Sequence, residues 1–270
     1  MKRSLMALML GSLIVTPAYA TSPEDALLER LEASGKLDAA IDRALERRIA
    51  REKKQREDRA HADQAAELEA ARKIQPLGKN DRIHGPENAR ISIIVMSDPE
   101  CPYCQRLAGI PEQAVDQSKG LANVGIRLFP LDFHGQKAVD AALTALCVAD
   151  QAGAPGYYKF FNGYLAATQG NGQGIPDRKG KPAKAVLDKL LKTAGVQDLA
   201  KLHACQQDKQ TLKRLEAEFN TTVEAGATGT PYLVLRNNEN GEVKVLAGVT
   251  PLEMLLDEIN KLAGPTTTAK

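Results

Sequence analysis

The sequence predicts an α/β domain with a large helical insertion, preceded by a helical segment that serves as oligomerisation element or spacer. Three observations carry this. An apolar run rich in β-branched residues, Ile91–Met96, is followed by Cys101-Pro102-Tyr103-Cys104 and then by helix-forming sequence. Two further strand-like runs, 232–235 and 243–246, come only after a long stretch of mostly helical pattern. Residues 22–75 are dominated by Ala, Leu, Glu, Arg and Lys and hold no Phe, Tyr or Trp, a helix-forming composition. Strand, short helix, strand, helical insert, hairpin and closing helix is an α/β order.

At the N-terminus, Lys2-Arg3, the apolar stretch Leu5–Val15 and Ala18-Tyr19-Ala20 read as a cleavable secretory leader with cleavage after Ala20. The apolar stretch is too short to span a bilayer comfortably; the bland alternative is an uncleaved N-terminal anchor. Export makes disulfide chemistry the expected use of the four cysteines.

Residues 21–75 form the helical extension. Ser22-Pro23-Glu24-Asp25 is a helix start, with a cap, Pro at the first position and acids in the first turn. Leu27, Leu28 and Leu31 form an apolar face, Gly35 breaks the helix, and Leu37, Ile41, Leu45 and Ile49 continue a stripe on a second helix. The stripe is expected to bind copies of the same chain; the alternative is packing on its own catalytic domain. The basic residues of 47–59 are interleaved with acids and read as a solvated face.

Residues 76–90, with Gln75-Pro76-Leu77-Gly78 at their start, read as a linker. The domain proper is expected over 91–263, with its insert at about 136–225 and a tail at 264–270. Within it, 91–96 and 124–128 are strands and Phe133-His134-Gly135 a turn. Residues 138–152, 157–167, 184–194 and 198–223 are helical, 170–174 a loop, 232–235 and 243–246 a hairpin, and 251–262 a helix started at Thr250-Pro251.

The Cys-x-x-Cys pair at the start of a helix carries the chemistry. The positive end of the helix and its free N–H groups lower a thiol's pKa, and the thiolate is the nucleophile. Cys101 is expected exposed and reactive, and Cys104 deeper, where it resolves a mixed disulfide. A zinc site needs a second pair of ligands at suitable spacing. Cys147 and Cys205 each stand alone, and His61, His84, His134 and His203 are spread apart, so no metal is expected and the histidines read as surface or satisfied turn residues. A formal net charge of +2 and the absence of Trp argue against a nucleic-acid partner.

Gly229-Thr230-Pro231 opens the strand Tyr232–Leu235. Together with Asp98-Pro-Glu-Cys-Pro-Tyr-Cys104, the leader and the order of elements over about 83–263, it resembles the thioredoxin-like disulfide oxidoreductases of the bacterial periplasm, the Dsb and Scs proteins. The resemblance implies a thioredoxin fold with helices inserted in its middle. It also implies a cis Pro231 beside the reactive cysteine, with Thr230 and Pro231 binding an extended substrate chain. Leu146-Cys147-Val148 and Ala204-Cys205-Gln206 look like the segments that hold the structural disulfide of the isomerases DsbC and DsbG, which pairs Cys147 with Cys205; the alternative is two buried free thiols. Six residues before Cys101, where DsbA-type oxidases carry a buried acid, stands Val95; Asp98 and Glu100 are expected in an exposed turn. DsbC and DsbG carry a β-rich N-terminal domain, whereas the helical residues 22–75 resemble the extension of ScsC, which forms oligomers.

The resemblance thus implies a periplasmic protein disulfide isomerase or reductase without cofactor. Cys101 and Cys104 are the redox-active pair, and Pro102 and Tyr103 tune it. Its substrates are misoxidised exported proteins, and Cys101 is kept reduced by a membrane reductase of the DsbD or ScsB kind. The subunit is expected to be a dimer or trimer through 22–75. The other readings are a monomeric DsbA-like oxidase, and a copper-binding or chaperone protein.

Overall fold

The computed structural model describes residues 22–178 and 180–264; the leader read at 1–20 and, apart from Gly264, the tail read at 264–270 lie outside them. The chain divides into two units, Met1–His61 and Ala62–Lys270. In the first, the Ser22 hydroxyl accepts the Asp25 N–H at 3.2 Å and the Asp25 carboxylate accepts the Ser22 N–H at 3.1 Å, closing two donors that the start of helix α1 (Pro23–Ala33) leaves open. Gly35, at φ 65°, separates α1 from α2 (Lys36–Arg72), which is about 55 Å long at 1.5 Å per residue. Leu27, Leu28, Ile41, Leu45 and Ile49 are each more than half exposed.

The second unit is organised by β2 (Ile91–Ser97), buried along its whole length. It lies third in a five-stranded sheet of order β1-β3-β2-β4-β5, with β1 (Ile83–His84), β3 (Ala122–Leu128), β4 (Tyr232–Asn237) and β5 (Val243–Ala247). Only the β2–β3 pair is parallel; Val95 stands opposite Ile126 on one side and Leu233 on the other. Side chains alternate across a strand, so β2 feeds two cores. Ile91, Ile93 and Val95 join Val124, Leu128, Leu233 and Leu235 on one face. Ile94 and Met96 join Ala71, Ile74, Phe129 and Val234 on the other. A strand buried on both faces reads as a continuous apolar run, which is how Ile91–Met96 was legible.

The first face is covered by α3 (Pro102–Leu107), α4 (Ile110–Gln117), α9 (Leu252–Ala263) and the first insert helix, α5 (Gly135–Ala167). Residues 138–152 and 157–167, expected as separate helices, are two helical stretches that meet at a kink within α5. Gly153, at φ 64°, leaves helical geometry, and Pro155 follows two residues later without an N–H to donate. Helices α6 (Ala183–Ala194), α7 (Leu199–Gln207) and α8 (Lys209–Glu224) complete the insert. A disulfide between Cys147 on α5 and Cys205 on α7, with Cα atoms 5.8 Å apart, ties it together.

Residues 76–90 differ from the linker read in the sequence. They are fastened to β3 from both ends: β1 pairs with it antiparallel, and Arg127 donates to the Asp81 carboxylate at 3.1 Å and to the Gln75 carbonyl at 3.0 Å. Leu77 packs over Gly125, where a Cβ would come within 2.5 Å of it. Arg82 donates to the Ile126 carbonyl at 2.7 Å and to Glu218 of α8 at 2.9 Å, and Glu218 also accepts the Leu128 N–H at 2.7 Å. One ion pair thus joins the start of the domain, β3 and the last insert helix.

Candidate active site

At the end of β2 the chain turns through Asp98-Pro99-Glu100. Both carboxylates are fully buried, at 0 % exposure, which corrects the exposed turn expected there. A buried carboxylate must be supplied with donors. Asp98 accepts the N–H groups of Glu100 and Leu131, each at 2.7 Å, and lies 2.6 Å from Nδ1 of the buried His134. Burial holds its carboxyl above the usual carboxylate range, and these bonds offset only part of that rise. Glu100 accepts the Tyr164 and Thr168 hydroxyls at 2.7 Å and the Gly174 N–H at 2.9 Å, while its own carbonyl accepts the Asn171 N–H at 2.6 Å. The turn is thereby stitched to the 168–174 loop. In that loop Gly172, at φ 79°, has no room for a side chain: a Cβ would lie 2.5 Å from the His134 carbonyl.

This scaffold holds Cys101 as N-cap of α3, its N–H donating to the Asp98 carbonyl at 3.1 Å. Pro102 takes the first helical position, where a missing N–H costs nothing. Tyr103 is 54 % exposed, with the Arg106 guanidinium 4.4 Å over its ring. The Thr230–Pro231 bond is cis, and the Thr230 carbonyl faces Cys101: the thiol donates to it at 3.4 Å. Cys101 is therefore only 3 % exposed and Cys104 1 %. The expectation of an exposed Cys101 is corrected, because the 229–231 segment lies against it.

The two thiols are electrostatically unlike. Cys101 is lowered to about 6, chiefly by the hydrogen bond from the Cys104 thiol, with burial opposing and the Thr230 side-chain hydroxyl and the Cys104 and Tyr103 N–H groups adding. Cys104 is pushed up by burial and then by Cys101. At neutral pH the outer sulfur is thus a nucleophile and the inner one a protonated reserve. Among the described residues no group of three or more His, Cys, Asp or Glu is placed to hold a metal ion. His134 belongs to the buried turn, while His84 and His203 lie elsewhere on the domain.

Comparison with known proteins fits this geometry. The family model described as thioredoxin matches residues 78–245. The chain belongs to the thioredoxin family. Its coarse activity is therefore thiol–disulfide oxidoreduction, and its fold is a thioredoxin fold with a helical insertion. Among solved structures, this thioredoxin-family chain is similar to Pseudomonas aeruginosa DsbA2, at 27% identity and TM-score 0.57, over 70% of this chain and 97% of that one. It shares its fold with Salmonella enterica Typhimurium BcfH (18% identity, TM-score 0.67, 89% and 99% covered) and with Wolbachia pipientis α-DsbA2 (19%, 0.59, 74% and 98%). No curated protein matches it. No helix among the described residues is long and apolar enough to cross a membrane.

Of the residues read from the sequence, the structure places Thr230 and its cis bond to Pro231 against Cys101 and pairs Cys147 with Cys205. Sequence reasoning missed that Asp98 and Glu100 are the buried anchors of the active turn. The available signal was their position between a largely apolar strand and the Cys-x-x-Cys pair. It also missed Glu112, an acid on α4 that is only 9 % exposed.

Proposed function

We propose that the protein is a periplasmic thiol–disulfide oxidoreductase that isomerises or reduces wrong disulfides in exported proteins. One observation carries this: a thiol lowered to about 6 stands against the Thr230 carbonyl, with a second thiol, raised, directly behind it. The Cys101 thiolate attacks one sulfur of a substrate disulfide; a Cys101–substrate disulfide forms and the other substrate sulfur leaves as thiolate. That thiolate then attacks another substrate disulfide, and the substrate thiolate this frees attacks the Cys101–substrate bond, closing a new substrate disulfide and releasing Cys101 as thiolate. Otherwise Cys104 attacks Cys101 and releases reduced substrate, leaving a Cys101–Cys104 disulfide for a membrane reductase to reduce. Thr230 and Pro231 offer the edge on which an extended substrate strand lies. Val95, apolar and 2 % exposed, supports the isomerase side.

Residues 22–75 hold copies of the chain together through Leu27, Leu28, Leu31, Ile41, Leu45 and Ile49, so that catalytic domains face a shared substrate; a solution mass of one subunit removes this part. The activity is tested by refolding scrambled ribonuclease with the full-length protein: the wild type restores activity and Cys101→Ser does not. Equal recovery with Cys101→Ser overturns the reading. The likeness to DsbA2 favours a second reading, a dithiol oxidase. The thiol state in cells separates them, reduced for the isomerase and oxidised for the oxidase.

A further inference from the structure

The segment that carries Thr230 and Pro231 is anchored at both ends. Upstream, α8 closes on the buried cap residue Ala225, and Ala227 is buried as well. Downstream, the buried Tyr232 opens β4 opposite Met96 of β2. Thr228, Gly229, Thr230 and Pro231 lie between these anchors. Thr228 is exposed and Gly229 and Thr230 are half-buried, so the loop has little packing of its own. Its contact with Cys101, through the Thr230 carbonyl at 3.4 Å, therefore depends on where the anchors rest.

Both anchors rest on the last turns of α2. Ala71 and Ile74 share one apolar cluster with Ala225, Ala227 and Tyr232, completed on β2 by Ile94 and Met96. Of all the residues of α2, Ala71 alone is buried, and this seat is where that long polar helix buries it. The fit is close: a Cβ on Gly226 would stand 3.0 Å from the Ala70 Cβ, and Gly226 is at φ 82°, so both space and backbone call for glycine. The Tyr232 hydroxyl donates to the Ala225 carbonyl at 3.4 Å, which ties one anchor to the other. Burial, and then Glu67 beside the hydroxyl, push the Tyr232 phenol above its ordinary range. Glu67, Ala70, Ala71 and Ile74 all belong to the catalytic unit, which begins at Ala62, although in the sequence they read as the end of a spacer.

We propose that the C-terminal end of α2 is a positioning element of the substrate edge: Ala71 seats both anchors and Glu67 orients Tyr232, so that Thr230 and Pro231 are presented beside Cys101. This rests on the substrate edge proposed above. Neither residue touches substrate or sulfur; both act through the 225–232 segment. That segment has two effects of opposite sign. It offers backbone groups to an extended chain, and it covers Cys101, which is why that thiol is 3 % exposed. Loosening the seat therefore slows attack on a peptide disulfide, which uses the edge, and speeds attack on a small disulfide, which needs only access to the sulfur. A residue that merely stabilises the fold moves both rates in one direction.

The test uses the full-length reduced protein at about pH 8.5, well above the Cys101 midpoint of about 6, so that the thiolate fraction is not limiting. Two mixed disulfides of thionitrobenzoate are compared, one with free cysteine and one with the single cysteine of an extended peptide. In each, the Cys101 thiolate bonds to the cysteine sulfur, the sulfur–sulfur bond of the reagent breaks, and its electron pair leaves on the coloured thionitrobenzoate. In Ala71→Leu, which overpacks the seat, the peptide rate is expected to fall about tenfold, the worth of about one hydrogen bond at the edge. The free-cysteine reagent should react about twofold faster as the thiolate is uncovered. Glu67→Ala should shift the two rates in the same opposed directions, the peptide rate by about threefold, and Glu67→Gln, which keeps an acceptor beside the Tyr232 hydroxyl, should restore them. Unchanged rates in Ala71→Leu overturn the proposal, and so does a parallel change of both rates, which marks general destabilisation. Wild-type rates in Glu67→Ala overturn the part given to Glu67. If Ala71→Leu does not fold, the Glu67 pair carries the test: opposed shifts restored by glutamine support the seat, and any other result overturns it. A wild type that reacts no faster with the peptide than with free cysteine removes the substrate edge itself, whereas a wild-type preference left intact in the variants overturns only the role of α2.

Discussion

Removing the Cys104 thiol should change when Cys101 becomes a nucleophile. The hydrogen bond from Cys104 is the largest of the effects that lower Cys101 to about 6. A bond to a charged acceptor is worth about 1.5–3 kcal/mol, and a thiol is a weak donor, so about 1.5 kcal/mol is the reasonable figure. At 1.36 kcal/mol per unit, Cys104→Ala should raise Cys101 by about one unit, to about 7. At pH 6 the thiolate fraction then falls from about one half to about one tenth. Intrinsic nucleophilicity rises with basicity, by about threefold for one unit. The alkylation rate of Cys101 should therefore drop about twofold at pH 6 and rise about threefold at pH 9, with the two profiles crossing between. Thiolate absorbance in the ultraviolet, followed against pH, gives the midpoint directly. The sign for stability follows: a thiol lowered in the folded state stabilises the reduced protein above its ordinary range, and that contribution is lost as pH falls through about 6. A midpoint that stays at about 6 in Cys104→Ala refutes the reasoning and leaves Thr230 and the backbone N–H groups as the cause.

Replacing Cys147 and Cys205 by serine together should cost about 4 kcal/mol, from the chain entropy of a loop with separation 58, read as a lower midpoint in denaturant. Glu218→Ala leaves the buried Arg82 without its carboxylate and the Leu128 N–H without its acceptor, and should cost about 3–5 kcal/mol in the same assay. Glu100→Gln keeps an oxygen for Tyr164 and Thr168 but turns an amide donor toward the Gly174 N–H; amide exchange at Gly174 and Asn171 should speed up, with a cost of about 1–3 kcal/mol.

Local features were legible and long-range ones were not. The β2 run, the Cys-x-x-Cys pair and the break at Gly35 declare themselves within a few residues, because periodicity and backbone freedom are local properties. The Cys147–Cys205 disulfide and the cis bond at Pro231 came only through family resemblance, since spacing alone does not choose partners. Asp98 and Glu100 read as exposed because acids in a Pro-containing turn usually are. Their burial depends on donors 33 to 74 residues away, at Leu131, His134, Tyr164, Thr168 and Gly174. Residues 76–90 read as a linker because a two-residue strand has no period, and its fastening depends on Arg127 from another strand.

The central claim is that Cys101 attacks and Cys104 resolves. The most direct measurement mixes reduced protein with scrambled ribonuclease, quenches with acid and maps the covalent adducts by mass spectrometry. Cys104→Ala should accumulate a mixed disulfide at Cys101, the wild type should show it only transiently, and Cys101→Ala should show none. An adduct held mainly by Cys104, or no adduct in Cys104→Ala, would contradict the account.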